Sequence, residues 1–284
     1  MSFTTYIRRG LRYIFNGTPT MSVHASISYL TPSDKLAGKN IIITGGGRGL
    51  GKAMAEKFVA EGANVLITGR TENTLKSVAD ELGCRYLVFD VCDASSAGVF
   101  MEKADKMLGG VNVLINNAGI SLHEWAIENV SIEQFDKQIH TNLRGGYFLT
   151  QKFIEIFKRN QTRNGSVLFI SSERGEQADD IPYGLTKAAI NSLVKGLAPK
   201  LIKEGIRINA VAPGITTSDM TGYKKDENLY CAANPNNRVY LPEEVAEVAA
   251  FLISDASSCI SGQIIACNEG KTGNSRHMYK LILR

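Results

Sequence analysis

Short apolar runs and longer amphipathic stretches alternate along the chain from residue 40 onwards. The first run, N-I-I-I-T at 40–44, is rich in β-branched residues, which predicts a buried strand. The same reasoning predicts six further strands, at 64–68, 85–89, 111–115, 166–170, 206–211 and 262–266. Helices are predicted at 52–58, 72–82, 95–108, 131–159, around Tyr183 and at 242–254. This alternation predicts an α/β fold: a single-domain, doubly wound parallel sheet, Rossmann-like, of about seven strands with helices on both faces.

Composition and charge narrow the class of protein. The chain has 284 residues, of which 44% are hydrophobic and 21% charged, as in an ordinary soluble globular protein. No apolar stretch approaches the ~20 residues that a membrane span needs, so we expect no transmembrane segment. The net charge of +4 is spread over interleaved acids and bases, and no nucleic-acid partner is predicted.

Cysteine usage and the first residues bear on the compartment. The five cysteines form no C-x-x-C pair and are odd in number, which argues against a zinc site and against a disulfide framework. No metal site is predicted. The apolar stretch that follows Arg8 and Arg9 is too short and interrupted for a signal-peptide core. The sequence therefore predicts a cytoplasmic protein.

A glycine-rich turn, T-G-G-G-R-G-L-G at 44–51, joins the first predicted strand to the first helix. Glycine lets the backbone approach a pyrophosphate, and the helix N-terminus offers unpaired N–H groups and the positive end of its dipole. A plain tight turn would not need so many glycines, each of which costs conformational entropy. The spacing is T-G-x-x-x-G-x-G rather than G-x-G-x-x-G. The residues predicted to bind the dinucleotide here are Gly45, Gly47, Arg48, Gly49, Leu50 and Gly51.

Tyr183 and Lys187 form a Y-x-x-x-K pair. Residues four apart lie on one face of a helix, so the phenol and the ammonium can reach the same small volume. A nearby cation lowers the pKa of a phenol from its usual value of about 10, which prepares it for general acid or base catalysis. On its own this spacing is typical of an exposed surface pair. Together with the glycine turn, it predicts a hydride-transfer enzyme.

With these motifs the chain resembles the short-chain dehydrogenase/reductase family, over roughly residues 36–270. Five motifs occur in the family's order, namely the turn at 44–51, Asp90-Val91, Asn116-Asn117-Ala118-Gly119, Ser172 with Tyr183 and Lys187, and Pro213-Gly214. The resemblance implies that residues 1–35 are an N-terminal extension, which could be an arm, a membrane-surface helix or a partly disordered segment, and that 271–284 are a C-terminal tail. It also implies a homodimer or homotetramer.

The resemblance further implies a role for each matching residue. The catalytic set would be Asn142, Ser172, Tyr183 and Lys187, of which Tyr183 and Lys187 would also bind the cofactor. Asp90 and Val91 would contact the adenine, and Asn117, Ala118 and Gly119 would line the ribose. The loop under the nicotinamide would contain Pro213, Gly214, Thr216 and Ser218, where Ser218 stands in place of the family's usual threonine.

The end of the second strand bears on the choice of cofactor. NAD(H) enzymes usually place an acid there for the ribose 2′-hydroxyl, whereas a 2′-phosphate needs a cation. Here the sequence is Thr68-Gly69-Arg70, with no acid and one arginine. Arg48 in the glycine turn is a second cation, although Arg70 could also be a plain exposed side chain at a helix start. The sequence predicts NADP(H) as the cofactor.

Four residues are expected to contact the substrate. Its expected contacts are Ser172, Glu173, His123 and Trp125, and the charged loop between Ser172 and Tyr183 favours a polar or small carbonyl or secondary alcohol. One alternative is the reduction of 3-oxoacyl groups on acyl carrier protein. Glu155 and Glu204 argue against it, because they occupy positions that correspond to the arginines used for that acidic carrier. The other alternative is a non-catalytic dinucleotide sensor or scaffold.

Overall fold

A computed structural model describes residues 23–24 and 34–271 of the chain. Seven strands form one sheet in which every neighbouring pair is parallel, in the order β3-β2-β1-β4-β5-β6-β7. The strands are β1 (Asn40–Thr44), β2 (Asn64–Gly69), β3 (Arg85–Val88), β4 (Val113–Asn116), β5 (Gly165–Ile170), β6 (Ile206–Pro213) and β7 (Ile264–Cys267). The predicted seven-stranded parallel sheet is confirmed, with shifts of a few residues at strand ends.

Seven α-helices accompany the strands in the described part of the chain. They are α1 (Gly49–Ala60), α2 (Glu72–Leu82), α3 (Ala97–Leu108), α4 (Ile132–Gln138), α5 (Gly145–Arg159), α6 (Pro182–Leu201) and α7 (Pro242–Ile253). The single long helix predicted at 131–159 is divided by a π-helical segment, Ile139–Arg144. α6 continues past Pro199 to its end at Leu201, where a short 3-10 turn follows.

Helices cover both faces of the sheet, as a doubly wound fold requires. On one face Phe100 of α3, Phe153 of α5 and Val194 of α6 pack against the strands. On the other, Phe58 of α1 and Val245 of α7 do the same. Because both faces of the sheet are covered, central strands such as β1 and β4 are nearly continuous apolar runs.

The strand order reverses between β1 and β4, and ligands of such sheets bind beyond the carboxyl ends of the strands near this point. Segment 215–241 follows β6 at the same edge. From the sequence, residues 216–240 of this segment are predicted to form a mobile lid. In the structure it has its own small apolar core of Leu229, Cys231, Val239 and Leu241. Apart from Val23 and His24, the N-terminal extension up to residue 33 lies outside the described residues, and so does the tail after Lys271.

Candidate active site

The glycine turn between β1 and α1 depends on backbone conformations and contacts that a side chain would prevent. Gly45 and Gly49 have φ angles of 67° and 51°, in the left-handed region that favours glycine. At Gly51 a Cβ would lie 2.1 Å from the carbonyl oxygen of Gly45, so the first turn of α1 packs directly onto the turn. Arg48 caps α1 with extended backbone. The N-terminus of α1 is therefore open to an anion, which fits a dinucleotide pyrophosphate.

Asn117 and Thr44 lock this turn to the end of β4. The Asn117 side-chain amide donates to the backbone oxygens of Thr44 and Gly45, at 2.8 and 3.2 Å. The Thr44 hydroxyl oxygen accepts from the backbone N–H groups of Asn117 and Ala118, both at 3.0 Å. The amide of Asn117, expected beside the ribose, is thus engaged in shaping the turn. Thr44 was not predicted as a site residue, although it is the first letter of the glycine motif.

The two predicted cations differ in their surroundings. Arg70 follows β2, is exposed, and has no hydrogen bond or ion pair with any residue in the described part of the chain. Arg48 forms an ion pair with Asp219 of segment 215–241, with Nη1 and Oδ2 3.0 Å apart. At Gly69 a Cβ would meet one atom within 4 Å, Leu75 Cδ2 at 3.6 Å, so there is room for a side chain there.

Asp90 and Val91, expected at the adenine, lie in the turn after β3. The Asp90 carboxylate accepts a hydrogen bond from the backbone N–H of Cys92 at 2.9 Å, which shapes this turn. Val91 is buried, and its carbonyl oxygen would lie 2.5 Å from a Cβ at Gly145. The turn therefore rests on the start of α5.

Tyr183 and Lys187 share one face of α6, as their spacing predicts. Lys187 Nζ lies 5.5 Å from the centroid of the Tyr183 ring and donates a hydrogen bond to the carbonyl oxygen of Ile170 at 2.7 Å. Lys187 is buried, and burial lowers the pKa of its ammonium to about 8.

The pKa of Tyr183 differs from the sequence expectation. Burial raises it, a hydrogen bond with the Ser172 side chain lowers it, the charge of Arg174 lowers it and that of Glu173 raises it. The net effect is a raised pKa, so the expectation of a lowered pKa is wrong. Desolvation of the phenolate outweighs the neighbouring charges.

Asn142 lies in the π-helical segment and is buried. Its side-chain amide donates to the carbonyl oxygen of Ile120 at 2.8 Å and to the Thr186 hydroxyl at 3.3 Å, and its Oδ1 accepts from the N–H of Ile120, also at 2.8 Å. A Cβ at Gly119 would lie 3.5 Å from Asn142 Oδ1 and 3.7 Å from Lys187 Nζ. The predicted catalytic asparagine and lysine thus meet beside Gly119. Wider π turns are frequent at functional sites.

Ser171 and Ser172 follow β5 and have different partners. The hydroxyl of Ser171 donates to Asn191 Oδ1 at 2.6 Å within the core. Ser172 interacts with Tyr183, and its oxygen accepts from the N–H of Arg174 at 3.3 Å. The structure therefore places Ser172, rather than Ser171, beside the phenol.

The segment after β4 contains the other expected substrate contacts. His123 is exposed with a φ of 58°, and the single tryptophan, Trp125, is 93% exposed. Glu124 between them is buried and accepts a hydrogen bond from Gln138 at 2.6 Å. This buried residue anchors the segment, while its two neighbours project outward.

Glu173, in the turn after β5, lies against the loop after β6. The Glu173 carboxylate is buried and paired with Lys271, with Oε1 and Nζ 2.7 Å apart. Gly214 lies so close that a Cβ there would be 2.7 Å from the Tyr240 ring and 3.1 Å from Glu173 Oε2. Lys271, which the expected domain boundary at 270 assigns to the tail, was not predicted here.

Thr216 and Ser218 continue the loop under the predicted nicotinamide position. The Thr216 hydroxyl donates to the carbonyl oxygen of Gly214 at 3.0 Å. Ser218 lies close to the glycine turn, since a Cβ at Gly49 would be 3.9 Å from Ser218 Cβ. The loop after β6 and the glycine turn therefore lie next to each other at the carboxyl ends of the strands.

Two other kinds of feature bear on the class of site, namely groups of metal ligands and membrane-spanning helices. The described residues contain no group of three or more His, Cys, Asp or Glu side chains placed to hold a metal ion. No helix among them is long and apolar enough to cross a membrane. What they do bring together is a phenol, a hydroxyl, a buried ammonium and a buried amide at the carboxyl edge of the sheet.

One protein-family model and several known proteins are similar to this chain. Residues 45–272 match a protein-family model described as enoyl-(acyl carrier protein) reductase. The chain is 33% identical to a 3-oxoacyl-[acyl-carrier-protein] reductase of Aquifex aeolicus, over 83% of this chain and 98% of that protein. It is 34% identical to a tropinone reductase homolog of Arabidopsis thaliana, over 84% and 94%. A solved 3-ketoacyl-(acyl-carrier-protein) reductase from Brucella melitensis complexed with NADH is 30% identical, with a TM-score of 0.77 over 83% of this chain and 99% of that one.

Proposed function

We propose, from the premise that this chain belongs to the short-chain dehydrogenase/reductase family, that it is an NADP(H)-dependent carbonyl reductase or alcohol dehydrogenase. That it is an oxidoreductase of this family follows from membership. The cofactor, the role of Tyr183 and the substrate class are the proposal. The observation that supports it best is the meeting of Tyr183, Ser172, Lys187 and Asn142 at the carboxyl edge of the sheet.

A bound nicotinamide dinucleotide would supply the hydride for carbonyl reduction or accept it from an alcohol. Tyr183 donates its proton to the developing alkoxide oxygen, and Ser172 donates a hydrogen bond to the same oxygen. A phenol whose pKa is raised is protonated at neutral pH, which suits the reducing direction. The ammonium of Lys187, 5.5 Å from the ring, stabilises the phenolate that remains. Asn142 donates hydrogen bonds to the backbone of Ile120 and to the hydroxyl of Thr186, and so joins the segment after β4 to α6.

The residues that would hold the cofactor form a continuous path. The pyrophosphate would lie at Gly45 to Gly51, the 2′-phosphate at Arg70, and the nicotinamide over Pro213 to Ser218. The unpaired guanidinium of Arg70 supports NADP(H), because no protein acid in the described part of the chain competes for it. Arg48 contributes less, since Asp219 already neutralises it. The NADH in the Brucella melitensis structure makes a side-by-side test of both cofactors necessary.

The function is tested with the variant Tyr183→Phe and a panel of ketones, polar hydroxyketones included. We expect kcat for carbonyl reduction to fall by a factor of about 10² to 10⁴ while cofactor binding stays unchanged, since only the proton donor is lost. Tyr147→Phe, which alters a half-exposed tyrosine on α5, is the matched control and should leave kcat unchanged. Equal turnover by Tyr183→Phe and the unaltered protein would contradict the assignment.

A second candidate is 3-oxoacyl-[acyl-carrier-protein] reduction, the activity in the names of two relatives described above. The charge argument against it is weaker in the structure, because Glu155 is paired with Lys152 at 2.7 Å and Glu204 with Lys158 at 2.8 Å. A reductase for carrier-bound groups should turn over the carrier-linked thioester with a kcat/KM at least about tenfold above that for the same acyl group on a small thiol. Equal values would favour a free carbonyl substrate.

The same assays address a non-catalytic sensor. A sensor would bind the dinucleotide with the affinity of an enzyme and turn over neither the ketone panel nor the thioesters. Turnover that depends on Tyr183 would contradict that alternative.

A further inference from the structure

The carboxylate of Glu173 lies where several parts of the active site meet. Its Oε1 accepts a hydrogen bond from Lys271 Nζ at 2.7 Å, and its Oε2 accepts one from Asn268 Nδ2 at 3.5 Å. The backbone of Gly214 approaches so closely that a Cβ there would lie 3.1 Å from the same Oε2. Glu173 is 7% exposed, so these contacts occur largely out of water. It also directly follows Ser172 in the chain.

Lys271 connects this carboxylate to segment 215–241. Its Nζ donates a second hydrogen bond to Asn234 Oδ1 at 3.4 Å. Asn234 in turn donates from its side chain to the carbonyl oxygen of Arg238 at 2.7 Å. The Lys271 side chain is 16% exposed. One buried ion pair therefore joins the turn after β5, the loop after β6, the segment that follows it and the chain after β7.

We propose that the Glu173–Lys271 ion pair is a positioning element of the active site, which holds the turn of Ser172 against the Pro213–Gly214 loop and fixes segment 215–241 beside it. The inference rests on the proposed function, since it concerns the same site. Loss of Lys271 leaves the buried carboxylate of Glu173 without its counter-ion, which is costly, so we expect the surrounding segments to move and let water in. Loss of the Glu173 charge removes the ion pair that holds Lys271 to the turn after β5. Both residues act through the groups that they hold and are positioning residues.

The charge of Glu173 also reaches the proton donor. The charged groups that face Tyr183 from the elements packed around it are Glu173, Arg174 with its partner Asp179, and Lys187. Of these, Glu173 raises the pKa of the phenol, because a nearby negative charge disfavours the phenolate. Replacing Glu173 by glutamine removes this effect while keeping the shape of the side chain.

The first test is hydrogen exchange on protein without cofactor or substrate, with the variants Glu173→Gln and Lys271→Met. The reporters are the backbone N–H of Gly214, which donates to Cys267 at 3.0 Å, and those of Thr217 and Tyr240, which donate within segment 215–241 at 2.9 Å. We expect exchange at these amides to become about tenfold faster or more in both variants. The matched control is Glu102→Gln, which breaks an exposed ion pair with Arg159 and should change nothing here.

The second test is the pH dependence of kcat for carbonyl reduction. Reduction needs protonated Tyr183, so kcat falls as pH rises through the pKa of the phenol. We expect the midpoint of this fall to move to lower pH in Glu173→Gln, because a negative charge that disfavours the phenolate has been removed. A role in stability alone would lower activity without moving the midpoint.

The outcomes separate the two proposals. Exchange at the three amides that is unchanged in both variants would overturn the positioning role. A midpoint that does not move to lower pH in Glu173→Gln would overturn the charge effect of Glu173 on Tyr183. Lys271→Met, at the outer end of the pair, decides the exchange test if Glu173→Gln does not fold. A wild-type protein that shows no turnover would contradict the proposed function, while the exchange result would still stand.

Discussion

Arg70 allows a sharp test of cofactor recognition, because its removal disturbs nothing else in the described structure. It is exposed and makes no hydrogen bond or ion pair with a described residue. The variant Arg70→Ala therefore leaves no protein group without a partner, and the change in binding reports the contact with the ligand. One charge-assisted hydrogen bond contributes about 1.5–3 kcal/mol, which corresponds to NADPH binding weakened roughly 10- to 150-fold. NADH has no 2′-phosphate, so its binding should be unchanged.

Gly69→Asp tests the complementary half of the same reasoning. A Cβ at Gly69 would meet Leu75 Cδ2 at 3.6 Å, an ordinary contact, and no other atom within 4 Å. The side chain therefore fits, and the new acid should strengthen NADH binding while it repels the 2′-phosphate. We expect the double variant Gly69→Asp/Arg70→Ala to prefer NADH.

The assay is a parallel titration of each variant with NADPH and NADH, followed by nicotinamide fluorescence. Urea unfolding provides the check on folding, and Arg70→Ala should change the free energy of unfolding by no more than about 0.5 kcal/mol. Arg163→Ala is the matched control. It removes another exposed arginine, which precedes β5 at the amino ends of the strands. If Arg70→Ala bound NADPH as tightly as the unaltered protein, the proposed 2′-phosphate site would be refuted.

Three further predictions concern the glycine turn, two glycines of α6 and the buried lysine. Gly51→Ala should abolish dinucleotide binding in the fluorescence titration, because its Cβ would lie 2.1 Å from a backbone oxygen of the glycine turn; normal affinity would contradict this. Gly184→Ala should lower the free energy of unfolding, measured in urea, by about 1–3 kcal/mol, since its Cβ would lie 1.9 Å from Asp179 Oδ2. Gly196→Ala on the same helix is the control. Its Cβ meets nothing within 4 Å, and the substitution should raise the free energy of unfolding by up to about 1 kcal/mol. Burial lowers the pKa of Lys187 from 10.5 to about 8. As pH rises, the native state therefore loses this proton before the unfolded state does. The free energy of unfolding should rise by up to about 3 kcal/mol between pH 8 and 10.5. Lys187→Met should lack this gain relative to the unaltered protein, and identical pH profiles of unfolding would sink the argument.

Several features of the site follow from local sequence patterns. The i, i+4 spacing of Tyr183 and Lys187 places them on one face of α6 wherever that helix packs. The glycines at 45 and 49 indicate left-handed backbone, and the structure has it there. The alternation of apolar runs and amphipathic stretches indicates seven strands and their helices, and the central strands are buried in the structure.

Other features could not be read from local patterns. The raised pKa of Tyr183 depends on how much water surrounds the phenol, and spacing says nothing about that. Trp125 is 93% exposed, although large apolar residues are usually buried. The engagement of Asn117 with the glycine turn requires β1 and β4 to lie side by side, which the strand order decides.

The division between sequence and structure follows the range of the interactions involved. By itself the sequence determined the fold class, the glycine turn and the catalytic spacing, because these depend on backbone conformation and helical period within a few residues. Only the tertiary structure decided that Glu173 pairs with Lys271, 98 residues away, and Arg48 with Asp219, 171 residues away. Such pairs form where packing brings distant segments together and excludes water, and no local pattern in the chain encodes that.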